Sequence, residues 1–345
     1  MNKAGMIPTV RYRLPGHTHY VHIEGRLCPL AGFHELAGRE GFVMAPFAGA
    51  PLLLLPDDVR EVPLPDACPA GQDVCRTPRS EDRAAYSREF RILQEALQSG
   101  RLEKVVLSRR ARMATGDADA ETLFLRACHV YPDCYVCLFD TPQTGCWLTA
   151  SPELLLAGRG AEWETMALAG TLPVRGGDMP RAEDFGAKNL REQALVTRHI
   201  LRAVRPFARE LTEGAREVRR MGGIAHLSTP VRFRTEAPFT EVGLLLQQLH
   251  PTPAVCGEPQ AEALEALLRL PSGRERGFYA GFTGCISPES ASLYVTLRAM
   301  QLRDGYAYLY AGGGLLPESD EEAEWEETCR KMDTIQFLCT PTIKA

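Results

Sequence analysis

Acidic residues crowd together near the C-terminal end of the sequence, directly after three consecutive glycines. The stretch AGGGLLPESDEEAEWEETCRK spans residues 311–331 and holds seven carboxylates. At helical spacing, Asp320, Glu324, Glu327 and Lys331 fall on one stripe. Close carboxylates raise one another's pKa unless a cation lies between them, so Glu324 and Glu327 are candidate metal ligands. An ordinary charged helix face, with Glu327 and Lys331 as an ion pair, is the more common origin of such a pattern.

The glycines and a nearby arginine indicate that an anion binds beside these acids. Gly312, Gly313 and Gly314 end a predicted strand and precede the last predicted helix. Their amides can approach an anion closely because they lack Cβ atoms, although a flexible turn explains them equally well. In the preceding strand, SLYVTLRAM, alternation places Arg298 late in the strand, where its guanidinium could bind a carboxylate. Together these residues suggest a site for an anionic, metal-bound small molecule.

The elements that must position these residues are strands and helices in mixed order. A predicted strand begins at Lys104, and two short strands meet at Ser151-Pro152. A long amphipathic helix is predicted from residue 182 to about Gly214, and three strands follow RGFYAG, with Asp304-Gly305 as a hairpin turn. Ser319 and Glu322 have the spacing of a capping box at the start of the last helix.

These hairpins favour an α/β (α+β) fold class, with largely antiparallel sheets covered by helices. We expect residues 1–80 to form an N-terminal segment packed on a larger domain of residues 81–340, with a linker rich in proline before residue 81. The chain has 345 residues, 45% of them hydrophobic, which is enough for a sizeable core.

Composition also limits the function classes. The net charge of −5 gives no support for a nucleic-acid partner. Eleven scattered cysteines are expected to be reduced thiols. The N-terminus lacks the apolar core of a signal peptide, and the apolar run at residues 51–56 is too short to span a bilayer. We therefore expect a cytoplasmic protein without membrane contact.

Nine motifs occur in order along the chain: KVVLSR, SPELLL, LAGT, KNLREQALV, HLST, LHPTPAVCG, RGFYAG, LRA and YAGGGLLPESDEEAEWEETCRK. In these motifs the chain resembles the chorismate-utilising enzymes, which include the isochorismate, salicylate, anthranilate and aminodeoxychorismate synthases. The resemblance covers about residues 81–338. It implies two packed antiparallel sheets flanked by helices, with chorismate and Mg²⁺ bound in a buried cleft. It also implies a monomer, with a dimer as the alternative.

The resemblance assigns roles to individual residues. It implies that Glu192 and Glu327 bind Mg²⁺ and that Glu324 is a neighbouring acid of that site. The cradle for the substrate carboxylates is implied to consist of Tyr279, Arg298, Lys331 and the backbone of Gly312, Gly313 and Gly314. Further active-site positions are matched by Ala169, Gly170, Thr171 and His226. The chain departs from the family pattern with Asn189 for an aspartate, Gln193 for a histidine and Leu172 for an arginine.

The family members differ in the nucleophile that attacks chorismate at C2. Lys104 stands where the water-using members carry a lysine, so the resemblance implies that it is the general base. It implies that Glu153 is the acid for the departing C4 hydroxyl, which requires burial to raise the carboxyl pKa. The alanine form of HPTPA, Ala254, favours an isochorismate synthase over a salicylate synthase.

Three other classes of protein stay open at this point. The chain could be a salicylate synthase, an enzyme that transfers an amino group to chorismate, or a non-catalytic chorismate-binding protein. The intact set of Lys104, Glu153, Glu192 and Glu327 argues against the last of these. The motifs do not separate menaquinone from siderophore biosynthesis, although the unfused chain favours menaquinone.

Overall fold

The structure is a computed structural model that describes residues 5–69, 79–80, 83–115, 119–174, 178–237 and 239–339. The strands of the first half are β1 Thr9–Arg13, β2 His19–Pro29, β3 Gly41–Ala45, β4 Leu52–Pro63, β5 Arg79–Ser80, β6 Lys104–Ala114, β7 Tyr135–Thr141, β8 Gly145–Ser151, β9 Leu154–Arg159 and β10 Glu162–Pro173. Those of the second half are β11 Glu210–Glu213, β12 Glu217–Met221, β13 Ile224–Arg234, β14 Gly257–Glu258, β15 Phe282–Ile286, β16 Ser290–Val295, β17 Ala299–Arg303 and β18 Tyr306–Leu315.

The helices cover the strands and carry several of the residues discussed below. They are α1 Arg83–Gln98, α2 Ala120–Val130, α3 Ala187–Val204, α4 Val242–Leu249, α5 Gln260–Leu268, α6 Pro271–Arg274 and α7 Glu321–Gln336. Helix α3 packs against β10, and α7 packs against β18. Among the described residues, none of these helices combines the length and the apolar character that crossing a bilayer requires.

The strands form a large antiparallel network, and the predicted α/β fold class is confirmed. Every strand pairing within the described ranges is antiparallel, and the pairings connect all the strands. The longest ladders join β2 to β4, β10 to β13 and β18 to β6. Strand β1 also pairs with β7, and β3 pairs with β15. The N-terminal strands are therefore hydrogen-bonded directly to strands that lie far away in the sequence.

Two large apolar clusters fill the interior. The first contains Phe42, Val105 and Leu107 among its fully buried side chains. The second lies where α2 and α7 meet the sheet, and it includes Phe124 and Ile335. The ten cysteines within the described residues are all free thiols, as expected from the sequence.

The predicted bounds of the long helix are wrong at both ends, and the helix begins at Ala187 instead of residue 182. Helix α3 ends at Val204 instead of near Gly214, because Pro206 has no N–H group to continue the helical hydrogen bonds. The residues beyond it form β11, which pairs with β13. The predicted linker before residue 81 falls partly outside the described residues, as does the domain boundary itself.

The strand predicted across Arg298 is also interrupted. Strand β16 ends at Val295 and β17 begins at Ala299, so four strands stand where three were predicted. Arg298 lies between them with a φ of 47°, a left-handed conformation that turns the chain out of the strand. Simple alternation therefore does not give the direction of its side chain.

Candidate active site

A cavity lies where β10, β18, α3 and α7 approach one another. Its lining includes the predicted site residues Glu153, Ala169, Gly170, Thr171, Glu192, His226, Tyr279, Arg298, Gly312, Gly314 and Lys331. The other predicted site residues, Lys104, Gly313, Glu324 and Glu327, do not contribute to this lining. Lys104 and Glu327 form ion pairs with the lining residues Glu192 and Lys331. Gly313 stands between two lining glycines, and Glu324 forms an ion pair with Lys188. Most of the residues assigned from the sequence therefore surround one space.

Arg298 is held in place by His226. Arg298 Nη2 lies 2.6 Å from His226 Nε2, and His226 Nδ1 lies 3.0 Å from the carbonyl oxygen of Gly170. Burial, followed by the charges of Arg298 and Lys331, lowers the pKa of His226 to about 3. The ring is therefore neutral, with Nδ1–H donating to Gly170 and Nε2 accepting from Arg298. The Nε atom of Arg298 is buried and has no hydrogen-bond partner among the described residues.

The LAGT motif forms a bulge in β10. The register between β10 and β13 shifts between Ala169 and Thr171, and Gly170 has a φ of 74°. A Cβ atom on Gly170 would lie 3.2 Å from atoms of Asn189 in α3. The Asn189 amide donates to the carbonyl oxygen of Thr171 and accepts from its backbone N–H, at 3.3 and 3.4 Å. Asn189, which stands in place of the family's aspartate, thus holds the bulge in position. The bulge contains Gly170, whose carbonyl oxygen contacts His226.

Glu153 is a deeply buried carboxyl group in the connection between β8 and β9. Glu153 is 2% exposed, and its backbone N–H donates to Ser151 Oγ at 3.2 Å. Burial raises the pKa of Glu153 to about 8, although the charges of Lys104, Arg298 and Lys331 act to lower it. The predicted rise in pKa is confirmed. At neutral pH the carboxyl group holds a proton that it can donate.

Each of the three predicted metal carboxylates is paired with a lysine. Lys104 Nζ lies 3.0 Å from Glu192 Oε1, and Lys331 Nζ lies 2.7 Å from Glu327 Oε1. The third pair joins Lys188 Nζ to Glu324 Oε1. Lys331 Nζ also donates to the carbonyl oxygen of Gly312 at 2.9 Å. The ion pair that helical spacing predicted on α7 is therefore present.

The pKa values of Glu324 and Glu327, both on α7, are shifted in opposite directions. Burial would raise the pKa of Glu327, but its ion pair with Lys331 and the charge of Lys188 outweigh burial and lower it to about 2. Burial and the charge of Glu327 raise the pKa of Glu324 above its ordinary value. The Oε2 atom of Glu324 is buried without a hydrogen-bond partner among the described residues. A cation beside this oxygen would stabilise both carboxylates.

Helix α7 begins differently from the prediction. Asp320 is its N-cap, and the carboxylate accepts from the Ala323 N–H at 2.9 Å. Ser319 accepts from the Leu316 N–H and donates to Glu324 Oε1 at 2.8 Å. The capping-box interpretation of Ser319 and Glu322 is therefore wrong, because the better carboxylate acceptor takes the cap position and frees Ser319 to orient Glu324.

The three glycines are strand residues, and the turn interpretation is wrong. Gly312, Gly313 and Gly314 pair with Ser108, Leu107 and Val106 of β6. A Cβ atom on Gly314 would overlap Oε1 of Glu192, and one on Gly313 would lie 2.8 Å from Oε2 of Glu324. A Cβ atom on Gly312 would lie 3.1 Å from the hydroxyl oxygen of Tyr279. The absence of side chains thus lets two carboxylates and a phenol reach the strand.

The donors around α7 fit Mg²⁺ by their chemistry. All three are carboxylates, the hard oxygen ligands that Mg²⁺ prefers, and Glu324 presents an unpartnered buried oxygen. Within the described ranges, however, no three acidic, histidine or cysteine side chains already converge as a metal-binding group. The lysine partners satisfy the carboxylates instead. A cation would therefore have to replace the ammonium groups that now compensate the negative charge of these carboxylates.

Two contributors to the site were missed in the sequence. Lys188 was overlooked although it stands four residues before Glu192 on the same face of α3, a spacing that could have indicated it. Tyr310 lines the cavity and stacks on Tyr279, with ring centroids 5.5 Å apart. Its place in a strand of alternating aromatic residues gave no sign of that contact.

A protein-family model described as "Chorismate binding enzyme" matches residues 64–338. The chain belongs to this family. It is 33% identical over 309 residues to the salicylate biosynthesis isochorismate synthase of Pseudomonas aeruginosa, a match that covers 87% of this chain and 63% of that protein. The chain therefore spans less than two thirds of this relative's length.

Solved structures of family members share the fold. A putative 2,3-dihydroxybenzoate-specific isochorismate synthase from Bacillus anthracis superposes with a TM-score of 0.81 at 25% identity, covering 96% of this chain and 95% of that one. The menaquinone-specific isochorismate synthase of Escherichia coli gives a TM-score of 0.82 at 21% identity, covering 96% and 89%. The cavity described above is therefore set in the common fold of a chorismate-binding enzyme.

Proposed function

We propose that this protein is an isochorismate synthase, which converts chorismate to isochorismate. The observation that carries the proposal is the protonated carboxyl of Glu153 in the same cavity as Arg298 and Lys331. A buried acid facing two cationic groups suits a dianionic substrate that must lose a hydroxyl group. The similarity to the Pseudomonas aeruginosa relative gives further support, because that protein is named an isochorismate synthase.

The proposed reaction is an exchange of hydroxyl groups across the ring. As the general base, the side-chain nitrogen of Lys104 would accept a proton from water as the water oxygen bonds to C2. The double bonds shift, the C4–O bond breaks, and Glu153 donates its proton to the departing oxygen, which leaves as water. One water enters and one leaves, so substrate and product are isomers and no oxidant or reductant is consumed. General acid and base groups typically contribute 10²–10⁴-fold each.

The substrate carboxylates would be held by Arg298 and Lys331. The buried, unpartnered Nε of Arg298 and the ammonium of Lys331 both belong to side chains that line the cavity. Glu192 and Glu327, with Glu324 beside them, would hold Mg²⁺. When bound, Mg²⁺ supplies a positive charge that screens a substrate carboxylate from the glutamates. Binding, orientation and both proton transfers are assigned to side chains of the protein.

Product analysis tests the proposal. The purified protein is incubated with chorismate and Mg²⁺, with and without ammonia, and the products are separated by chromatography. Isochorismate without pyruvate supports the proposal. Salicylate with pyruvate would identify a salicylate synthase, and an aminated product formed only with ammonia would identify an amino-transferring enzyme. Chorismate binding without any product would identify a non-catalytic binding protein.

The Lys104→Gln variant sharpens this test because it keeps most of the side-chain volume but removes the base. We expect isochorismate formation to fall by about 10²–10⁴-fold. Weak amination in concentrated ammonia is expected, since ammonia is a stronger nucleophile than water and needs less activation. Isochorismate formation at the wild-type rate would exclude Lys104 as the base.

A further inference from the structure

Lysine is used very selectively in this chain. Only five of the 39 basic residues are lysines, at positions 3, 104, 188, 331 and 344. The three that lie within the described ranges, Lys104, Lys188 and Lys331, form the three ion pairs with Glu192, Glu324 and Glu327. Arginine serves nearly everywhere else. An ammonium is a compact charge, whereas a guanidinium is a larger, planar group. The positions beside the three glutamates are therefore suited to a small cation.

The surroundings of Lys188 differ from those of the other two lysines. Its Nζ donates to Oε1 of Glu324, a residue that is 2% exposed. The other oxygen of this carboxylate, Oε2 of Glu324, is buried without a hydrogen-bond partner among the described residues. The ammonium therefore stands beside an oxygen that is open to a cation.

Lys188 is also the most easily displaced of the three. Its side chain is 30% exposed, whereas that of Lys104 is fully buried and that of Lys331 is 15% exposed. Lys331 is additionally tied to the carbonyl oxygen of Gly312. A long, flexible side chain with one end near solvent can move outward at little cost, because its ammonium then regains hydration.

We propose that the ammonium of Lys188 occupies the divalent-cation position beside Glu324 in the metal-free protein, and that metal binding displaces it toward solvent. This inference rests on the Mg²⁺ site of the proposed function. The ammonium compensates the buried carboxylates while the metal is absent, and it competes with the metal when both are present. Lys188 thus compensates the charge of Glu324 until the metal replaces it.

The first experiment measures Mg²⁺ binding by calorimetry in the absence of chorismate. Lys188→Met removes the charge and keeps the length of the side chain, and we expect Mg²⁺ to bind about tenfold more tightly, which corresponds to about 1.4 kcal/mol. The matched control is Arg191→Met on the same helix, since Arg191 is 53% exposed and faces Glu318 at 3.5 Å instead of the three carboxylates. We expect this control to bind Mg²⁺ as the wild type does.

The second experiment separates displacement from simple repulsion. Surface amines of the wild-type protein are acetylated under limiting conditions with and without Mg²⁺, and the few lysine peptides are quantified by mass spectrometry. Displacement predicts that Mg²⁺ increases the labelling of Lys188 several-fold, with the labelling of Lys104 unchanged. A positive charge that only repels the metal from a distance would leave the labelling of Lys188 the same.

The outcomes also separate this inference from the proposed function. Unchanged or weaker Mg²⁺ binding by a folded Lys188→Met variant, or unchanged labelling of Lys188, overturns the inference while Mg²⁺-dependent activity still stands. Activity without any divalent cation would instead remove the metal from the proposed function and the inference with it. If Lys188→Met fails to fold, Lys188→Gln gives the same comparison, because it also removes the charge.

Discussion

At the scale of single residues, burial keeps two ionisable groups of the cavity neutral. It raises the pKa of the Glu153 carboxyl to about 8 and lowers the pKa of the His226 imidazole to about 3. Removing water disfavours the charged form of either group, so an acid and a base shift in opposite directions. Glu153 consequently has a proton to donate at neutral pH, while His226 has a free lone pair with which to hold Arg298.

The raised pKa of Glu153 predicts how activity depends on pH. A general acid must be protonated, so kcat/KM for chorismate should fall as the pH rises through about 8. Glu153→Gln keeps the shape but has no proton to donate, and we expect kcat/KM to fall by about 10²–10⁴-fold. Rates measured from neutral pH to two units above this pKa, with circular dichroism as the folding control, check both points. A profile that stays level across that range would exclude Glu153 as the acid.

Arg298 is expected to be intolerant of replacement by lysine. Its guanidinium reaches His226 through Nη2 and leaves Nε unpartnered among the described residues, so one side chain can serve His226 and a substrate carboxylate together. An ammonium cannot reproduce that planar geometry. Arg298→Lys should lose a charge-assisted hydrogen bond, about 1.5–3 kcal/mol, or roughly 10–150-fold in kcat/KM. Steady-state kinetics measure this loss, and an unchanged kcat/KM would remove Arg298 from substrate binding.

At the scale of elements, local patterns predicted what each segment forms but not where it bends. The turn at Asp304-Gly305 and the strand break at Ser151-Pro152 are correct, because the signals for both are local. The break at Arg298 was missed because its left-handed φ depends on neighbours such as Thr149, which donates to the carbonyl oxygen of Leu297. The true N-cap of α7 was missed because two adjacent residues had suitable side chains.

The glycines of β18 give a prediction that belongs to this scale. A Cβ atom on Gly314 would overlap the Glu192 carboxylate, so Gly314→Ala should push Glu192 away from Lys104 and from the predicted metal position. We expect a large loss of activity and weaker Mg²⁺ binding with the strand pairing retained. Gly223→Ala is the matched control, since a Cβ atom there meets nothing within 4 Å. Equal activity in the two variants would show that the close approach at Gly314 has no functional role.

At the scale of the whole molecule, the site is assembled from segments that are far apart in the sequence. Glu324 meets Lys188, which is 136 residues away, and Arg298 meets His226 across 72 residues. Motif order identified most of these residues one by one, yet no local pattern predicts which lysine compensates which glutamate. That pairing depends on the long antiparallel ladders, which bring β6 against β18 and β10 against β13. The partners of a charged group are thus a property of the complete fold.

The balance of charge in the assembled site predicts that metal and substrate bind cooperatively. Three glutamates are matched by three lysines, so a divalent cation alone would leave the site with excess positive charge, and a dianion alone with excess negative charge. Bound together, Mg²⁺ and chorismate cancel each other's charge. We therefore expect each to increase the affinity of the other by the same factor, in the range of about 5–150-fold that is typical of coupled sites.

Calorimetry on the Glu153→Gln variant, which should bind chorismate without converting it, measures both affinities with and without the second ligand. A benzoate ion, which carries a single carboxylate, is the control ligand and should couple less strongly to Mg²⁺ because it brings half the charge. Activity should also disappear with EDTA and return with added Mg²⁺. Equal Mg²⁺ affinity with and without chorismate would mean that the two ligands do not share the site. The carboxylates of α7 would then have a purely structural role, with their lysines as permanent partners.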